Sequence, residues 1–335
     1  MDYEVSKSGD EHNNKDLKKL SLSNSAVVDS KGGLGMLAYD IKELKDGNPW
    51  TEAMNLTKLP VFKNKLIYNE FGKLIKLNIG AMEKRAYEVA EFLNIDTKKH
   101  KIEIHPNEAE VYLKSDKYEI CVNSDVKTTV KFVKPFELPK DLRIKQDSEV
   151  TYEKLLKSSE YIKTKYKDII PMENSKVKVI FGDYSYNREH ISWSTCLYSD
   201  RDKDVDKIIN YTFNNVDIVY DENGNFSDMI IYKPDLSDKL GDYPIITKKN
   251  AEEILCSGKY IIMGEAKFPG KEYIRKTELV YRYGKEDHYM PYYRIYVEIP
   301  TEKQGNNLNC YEAFYVPAVE HSYIYDMDVW KGWYN

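Results

Sequence analysis

Hydrophobic and polar residues alternate along three segments toward the C-terminal end of the chain, at residues 277–283, 289–299 and 310–319. A period of two residues predicts β-strands whose side chains point alternately to the two faces of a sheet. A short helix is predicted before them, with Thr247 as its N-cap and Gly258 at its end. The pattern therefore predicts a helix followed by an antiparallel sheet.

The same order of elements occurs twice more upstream. Apolar residues at helical spacing predict one helix over residues 81–93 and another from near 148 toward 170, where Pro171 ends it. Strand patterns follow at residues 101–104, 110–113, 118–122 and 127–133 after the first helix, and at 176–181 and 191–197 after the second. A further short helix is predicted over residues 205–211.

A hairpin is predicted where strands at 215–220 and 228–233 flank the loop 221–225. The Asn-Gly pair in this loop suits a tight turn that requires positive φ. Helices that alternate with hairpins in this way predict an α+β fold, with helices packed on antiparallel sheets.

The chain is 335 residues long, which exceeds one typical domain, so we expect two domains. Residues 1–47 are polar and are interpreted as a partly disordered leader. Residues 48–134 form the predicted N-terminal α+β domain, and 148–335 form the C-terminal one. The linker between them is placed at 135–147, where prolines and mixed charges interrupt the pattern.

Tyrosine is unusually abundant, with 29 residues, and it suits both half-buried strands and binding surfaces. The last strands carry the tyrosines that we select as a candidate binding face. They are Tyr289, Tyr292, Tyr293, Tyr296, Tyr311 and Tyr315. Because side chains on a strand alternate, about half of these rings are expected to face the core.

The charge pattern argues against nucleic acid as a partner, since the net charge is -5 and lysine and arginine are dispersed. No apolar run approaches the roughly 20 residues of a membrane helix, and no signal-peptide pattern follows Met1. Two cellular locations are compatible with this N-terminal sequence. The chain is cytoplasmic, or it is exported and its membrane anchor is absent from this sequence.

Several motifs extend over most of the chain beyond the leader. They are Asn48-Pro49-Trp50, residues 59–64, Gly182-Asp183-Tyr184, and residues 235–246, 278–281, 290–298 and 315–319. With these motifs the chain resembles an uncharacterised group of clostridial extracellular proteins, found as lipoproteins or as outer domains of BlaR1-like membrane peptidases. More distantly, residues 247–297 are similar to YycI-type and PepSY-like regulatory domains. The resemblance implies an exported, membrane-tethered module of PepSY-like helix-plus-hairpin units, and it transfers no catalytic residue.

The likeness to BlaR1-like proteins raises the question of whether the chain recognises β-lactams. This recognition requires a serine and a lysine one helical turn later. Ser124 with Lys127 and Ser175 with Lys178 have the required spacing. The first pair lies in a predicted turn and the second enters a predicted strand, where residues three apart point to opposite faces. Neither companion motif of the penicillin-binding enzymes occurs, so we do not expect this activity.

Metal and cofactor motifs are absent from the sequence, which has no C-x-x-C pair and no H-E-x-x-H. His321 lies beside Glu320 and near Asp326 and Asp328, but a surface histidine is the simpler interpretation. The four cysteines are far apart and are expected to be free, buried thiols. We therefore expect no metal site and no cofactor.

We favour a non-enzymatic extracellular module that senses or regulates by binding a protein, a peptide or a cell-envelope ligand through the tyrosine face. Two alternatives remain at this stage. One is a hydrolase of cell-wall polymer that uses a carboxylate pair from the region 200–206 or from Glu265 and Glu298. The other is a structural subunit of the envelope.

Overall fold

A computed structural model describes residues 17–22, 35–68, 74–145, 150–185, 191–262, 264, 266–283, 286–300 and 307–325. These residues form four α-helices and sixteen β-strands, and every paired strand within the sheets is antiparallel to its neighbour. The helices pack on the sheets, which confirms the predicted α+β class. None of the described helices has the length and apolar character needed to cross a bilayer.

The largest sheet has eight strands. In spatial order they are β3 (Ile102–His105), β4 (Glu110–Lys114), β5 (Tyr118–Asn123), β6 (Thr128–Phe136), β10 (Phe226–Tyr232), β9 (Asn215–Tyr220), β8 (Ile191–Ser199) and β7 (Ser175–Tyr184). β6 pairs with β10, with Val130 opposite Met229. Strands from both sides of residues 135–147 therefore share one sheet, and β6 itself extends into the segment that the sequence suggested as a linker.

Two helices cover this sheet. α1 (Ile79–Phe92) begins where the Asn78 side chain accepts a hydrogen bond from the Ala81 amide, and its buried face packs against β4 and β5. α2 (Tyr152–Lys165) has Thr151 as its N-cap and is followed by a 3-10 turn at Lys167–Ile169. Both predicted helices are confirmed, although the second ends as a tighter turn before Pro171.

The remaining strands form two smaller sheets. One contains β1 (Met36–Ala38), β16 (Asn309–Pro317), β15 (Pro291–Glu298) and β13 (Ile274–Tyr281) in that order, with β12 (Ile261–Ile262) also paired to β16. The other contains β11 (Lys239–Pro244), β2 (Lys58–Lys63) and β14 (His288–Tyr289). The five-stranded sheet is the one that carries most of the selected tyrosines.

Helices cover the two faces of the five-stranded sheet. α4 (Lys248–Cys256) packs Ala251 and Leu255 into a core that includes Leu279 of β13. α3 (Asp204–Phe213) packs Tyr211 against Val280, the next residue of β13. Because successive side chains of a strand point to opposite faces, the two helices lie on opposite sides of the sheet. The sequence showed the alternation of polar and apolar residues along the strands, but it did not show that a helix covers the second face of this sheet.

The segment expected to be a leader is partly built into the fold. Residues 17–22 and 35–47 are described and packed, whereas 1–16 and 23–34 lie outside the described residues. We call residues 35–47 the N-terminal strap, because this segment contacts two sheets. Its strand β1 pairs with β16, and its Lys45 forms an antiparallel bridge to Phe181 of β7. These packed residues lie within the segment that the sequence predicts as a partly disordered leader, and a few apolar side chains suffice to anchor such a polar segment.

The motif Gly182-Asp183-Tyr184 receives the strap. A Cβ added at Gly182, where φ is +100°, would lie 1.9 Å from the carbonyl oxygen of Glu43. Asp183 accepts a hydrogen bond of 2.9 Å from the Leu37 amide, and the Tyr184 ring packs edge-on against Tyr39. Glycine is required here because the strap crosses β7 in direct backbone contact.

Candidate functional site

The six selected tyrosines do not form a solvent-exposed face. Five are buried, with between 0% and 5% of their surface exposed, and Tyr315 is half-buried. Tyr292 and Tyr293 illustrate the reason, since they point to opposite faces of β15 and both faces are covered. The tyrosine face predicted from the sequence is thus an interior layer of the molecule.

Tyr296 of this layer contacts a network of charges between the strap and the five-stranded sheet. Arg294 contacts Asp46 of the strap, and its Nη2 atom lies 2.6 Å from Oε2 of Glu278. Lys276 Nζ lies 2.5 Å from Oε1 of Glu278 and 3.6 Å from Oδ1 of Asp46. Two partly buried cations therefore balance two buried carboxylates, as buried charges require.

Electrostatics in the network favour the ionised form of Asp46. Burial by itself raises the pKa of this carboxyl, but Arg294 and Lys276 outweigh burial and lower the pKa to about 2. Tyr211 donates a hydrogen bond of 3.1 Å to the Asp46 carbonyl oxygen, and the Lys178 ammonium lies 3.8 Å from the centre of the Tyr211 ring. The network thus connects the strap, α3, β7 and the five-stranded sheet.

A second buried ion pair lies beside this layer. Nε of Arg282 is 3.4 Å from Oε1 of Glu286, and both side chains are almost completely buried. The guanidinium lies 4.7 Å from the ring centre of Tyr315 and 5.1 Å from that of Tyr292. Burial raises the pKa of Glu286, although Arg282 opposes this shift. Two of the selected tyrosines therefore enclose a cation of the protein itself.

The acids considered for hydrolysis are distributed over separate elements. Asp204 lies in the first turn of α3, 3.1 Å from Lys207 Nζ. Glu298 lies at the end of β15, 2.9 Å from Nη2 of Arg275. Glu265 lies outside the described residues. Asp204 and Glu298 are thus each paired with a cation, and they lie on separate elements.

His321 lines an open depression of about 520 Å³ between α4 and the turn His321–Tyr323. Glu253 and Glu320 also line it, and burial together with Lys259 lowers the pKa of His321. Asp326 and Asp328 lie outside the described residues. Within the described part of the chain, no group of three or more His, Cys, Asp or Glu side chains is placed to hold a metal ion.

A different tyrosine cluster reaches the surface. We call it the tyrosine junction, and it consists of Tyr68, Tyr232, Tyr283 and Tyr289. The Tyr232 and Tyr283 rings lie 5.0 Å apart, and Tyr283 is 56% exposed. Burial and the nearby Asp125 raise the pKa of Tyr68 to about 12, so its hydroxyl stays protonated at physiological pH. The junction joins the end of β10 to the region of β2 and β14.

Aliphatic side chains accompany the junction. Ile67 and Ile75 are 60% and 62% exposed, and the Ile75 amide donates a hydrogen bond of 2.8 Å to the Ile67 carbonyl next to Tyr68. Sequence reasoning selected only Tyr289 from this cluster. Tyr283 lies two residues beyond the last residue of β13. This position beyond the strand end is the feature of the sequence that could have predicted its exposure.

Comparison of the chain with protein-family models finds no match, and comparison with curated proteins finds none either.

Proposed function

We propose that this chain is a non-enzymatic, extracellular sensor or regulatory module of a membrane-tethered protein, and that it binds a protein, peptide or cell-envelope ligand. The observation that carries the binding proposal is the exposed Tyr283 ring, which packs on Tyr232 at the tyrosine junction. The extracellular and membrane-tethered context comes from the resemblance described above.

The chemistry of the junction suits recognition. A tyrosine ring provides a large contact area with few rotatable bonds, and its hydroxyl provides one polar contact. The Tyr232 ring packs against Tyr283 in a tilted geometry, and the Lys127 ammonium lies 6.0 Å from the Tyr232 ring centre. An aromatic surface that its neighbours already hold in place loses little conformational entropy on binding.

The acids of the network around Asp46 do not match the requirements of glycoside hydrolysis. A general acid for glycoside hydrolysis needs a carboxyl group with a raised pKa, close to a second carboxylate. In the charge network between the strap and the five-stranded sheet, the pKa of Asp46 is lowered instead. Asp46 and Glu278 share the cations Arg294 and Lys276. This pairing supports a structural role for the acids.

The test is a pelleting assay with isolated clostridial peptidoglycan sacculi and, separately, with immobilised envelope proteins. The purified protein is compared with Tyr283→Ser, and Tyr87→Ser is the matched control because Tyr87 is an exposed tyrosine on α1. We expect retention of the protein, a loss of at least about tenfold in affinity for Tyr283→Ser, and no change for Tyr87→Ser.

Two results would contradict the proposal. Equal retention of both variants would remove the tyrosine junction as the binding surface. Release of soluble wall fragments that depends on the protein would show catalysis and would favour the hydrolase hypothesis.

A further inference from the structure

Residues 17–22, which we call the leucine segment, lie against the C-terminal part of the chain. Leu20 is 1% exposed and is the most buried residue of the segment, with Leu17 and Leu22 packed around the same cluster. The surface that receives the segment, which we call the leucine site, is formed by Leu240, Tyr243, Met290, Tyr292, Val319 and Ile324. A short Leu-x-x-Leu-x-Leu segment thus fills an apolar site.

The backbone of the leucine segment forms an isolated β-bridge with the residues that follow the turn His321–Tyr323. The Leu20 amide donates to the Tyr323 carbonyl at 2.7 Å, and the Tyr325 amide donates to the Leu20 carbonyl at 2.7 Å. Leu20 and Ile324 form a parallel bridge. β-Augmentation uses main-chain hydrogen bonds of this kind, which supply affinity for any extended chain while side-chain pockets supply specificity.

The site also has features that fit the segment on its other side. The Tyr243 hydroxyl donates a hydrogen bond of 2.9 Å to the Lys18 carbonyl. A Cβ added at Gly241, where φ is +151°, would lie 2.4 Å from Cδ2 of Leu17, so glycine leaves the space that this leucine occupies. His288 hydrogen bonds with the Ser21 backbone. Contacts therefore follow the segment from Leu17 to Ser21.

We infer that the leucine site recognises an extended Leu-x-x-Leu-x-Leu segment of a partner protein, and that residues 17–22 occupy the site in cis until the partner replaces them. The hydrogen bonds of Leu20 and of the Lys18 carbonyl use backbone atoms of the segment, so a partner chain of the same apolar pattern can make them equally. This inference rests on contacts separate from the tyrosine junction, and it holds or fails independently of it.

The cis arrangement sets the expected competition. Only residues 23–34 separate the leucine segment from Gly35 at the start of the strap. Short connections of this kind give an effective concentration on the order of 1 mM. For a free peptide that binds the open site with a Kd of about 100 μM, the cis segment weakens the apparent affinity by about tenfold.

The test uses the full-length chain and a fluorescein-labelled synthetic peptide with the sequence of residues 15–25. Leu20→Ser removes the buried leucine from the cis segment, and Lys18→Ser is the control because the Lys18 side chain is exposed. We expect Leu20→Ser to bind the peptide about tenfold more tightly than the unmodified chain, and Lys18→Ser to bind like the unmodified chain. A peptide that itself carries Leu20→Ser should not bind.

Hydrogen exchange provides a measurement that does not depend on a variant. Excess unlabelled peptide added to the unmodified chain should accelerate amide exchange in residues 17–22, while the Tyr325 amide stays protected by the incoming peptide. Unchanged exchange at 17–22, or equal peptide affinity for all three chains, would overturn the inference. A concentration-dependent dimer without peptide binding would also overturn it, because the occupant would then be a second copy of this chain.

Discussion

Replacement of Asp46 by asparagine removes one charge from the buried network without changing the shape of the side chain. The pKa of Asp46 falls from the ordinary value of 3.8 to about 2 in the folded protein. This difference corresponds to about 2.5 kcal/mol of the free energy of unfolding at neutral pH. We expect Asp46→Asn to lose about that amount, because Arg294 and Lys276 then share only the Glu278 carboxylate.

The pH dependence gives a second, independent expectation. The folded state favours the ionised carboxyl, so the contribution of Asp46 is present above its unfolded pKa and decreases as the pH falls toward about 2. At pH 3 about half of it remains. The difference in stability between the unmodified chain and Asp46→Asn should therefore narrow from about 2.5 to about 1.3 kcal/mol between pH 7 and pH 3.

Urea unfolding followed by intrinsic fluorescence measures both quantities. The control is Glu253→Gln, which neutralises a carboxylate paired with Lys249 at 3.9 Å on the exposed surface of α4. An exposed pair of this kind contributes at most about 0.5 kcal/mol. The reasoning is refuted if Asp46→Asn is as stable as Glu253→Gln at pH 7, or if its deficit is the same at both pH values.

Further predictions concern the strap, the thiols and a helix cap. Gly182→Ala should lose more than about 2 kcal/mol of stability in thermal unfolding, because the new Cβ meets the Glu43 carbonyl oxygen. The control Gly80→Ala, near the start of α1, should change the stability by at most about 1 kcal/mol. A thiol reagent at pH 8 should modify the exposed Cys256 rapidly and Cys196 only on unfolding, since burial raises the pKa of Cys196 to about 12; equal rates would contradict this. Thr247→Ala should cost about 1 kcal/mol through loss of the hydrogen bond from the Asn250 amide, and Thr164→Ala, at an exposed position in α2, serves as its comparison in urea unfolding.

Local signals in the sequence predicted local structure well. The α1 period, the Thr247 cap and the Asn-Gly turn between β9 and β10 each involve residues within a few positions of one another. The pairing of β6 with β10 depends instead on which strand edges meet in space. A period of two residues carries no information about the neighbouring strand, so the sequence did not indicate that strands on both sides of residues 135–147 share one sheet.

The candidate site was predicted less completely for a related reason. Alternation along β15 shows that Tyr292 and Tyr293 point to opposite faces, but it does not show that separate cores cover both faces. The Asp46–Arg294 contact joins residues 248 positions apart, and no local pattern indicates it. Tyr283 is exposed because it lies beyond the end of β13, the strand that would have buried it, which ends at Tyr281.

The pairing of Leu20 with Ile324 and of β1 with β16 also determines when the molecule can complete its folding during synthesis. The leucine segment and the strap emerge from the ribosome long before their partners. Their apolar residues cannot be buried until β16 and Ile324 have been synthesised. Contacts between such distant residues require closure of a long loop before they contribute any stability, so they form late. The eight-stranded sheet is complete once β10 has emerged and can fold first, while the strap and the leucine segment join only when β16 and the turn after it are available.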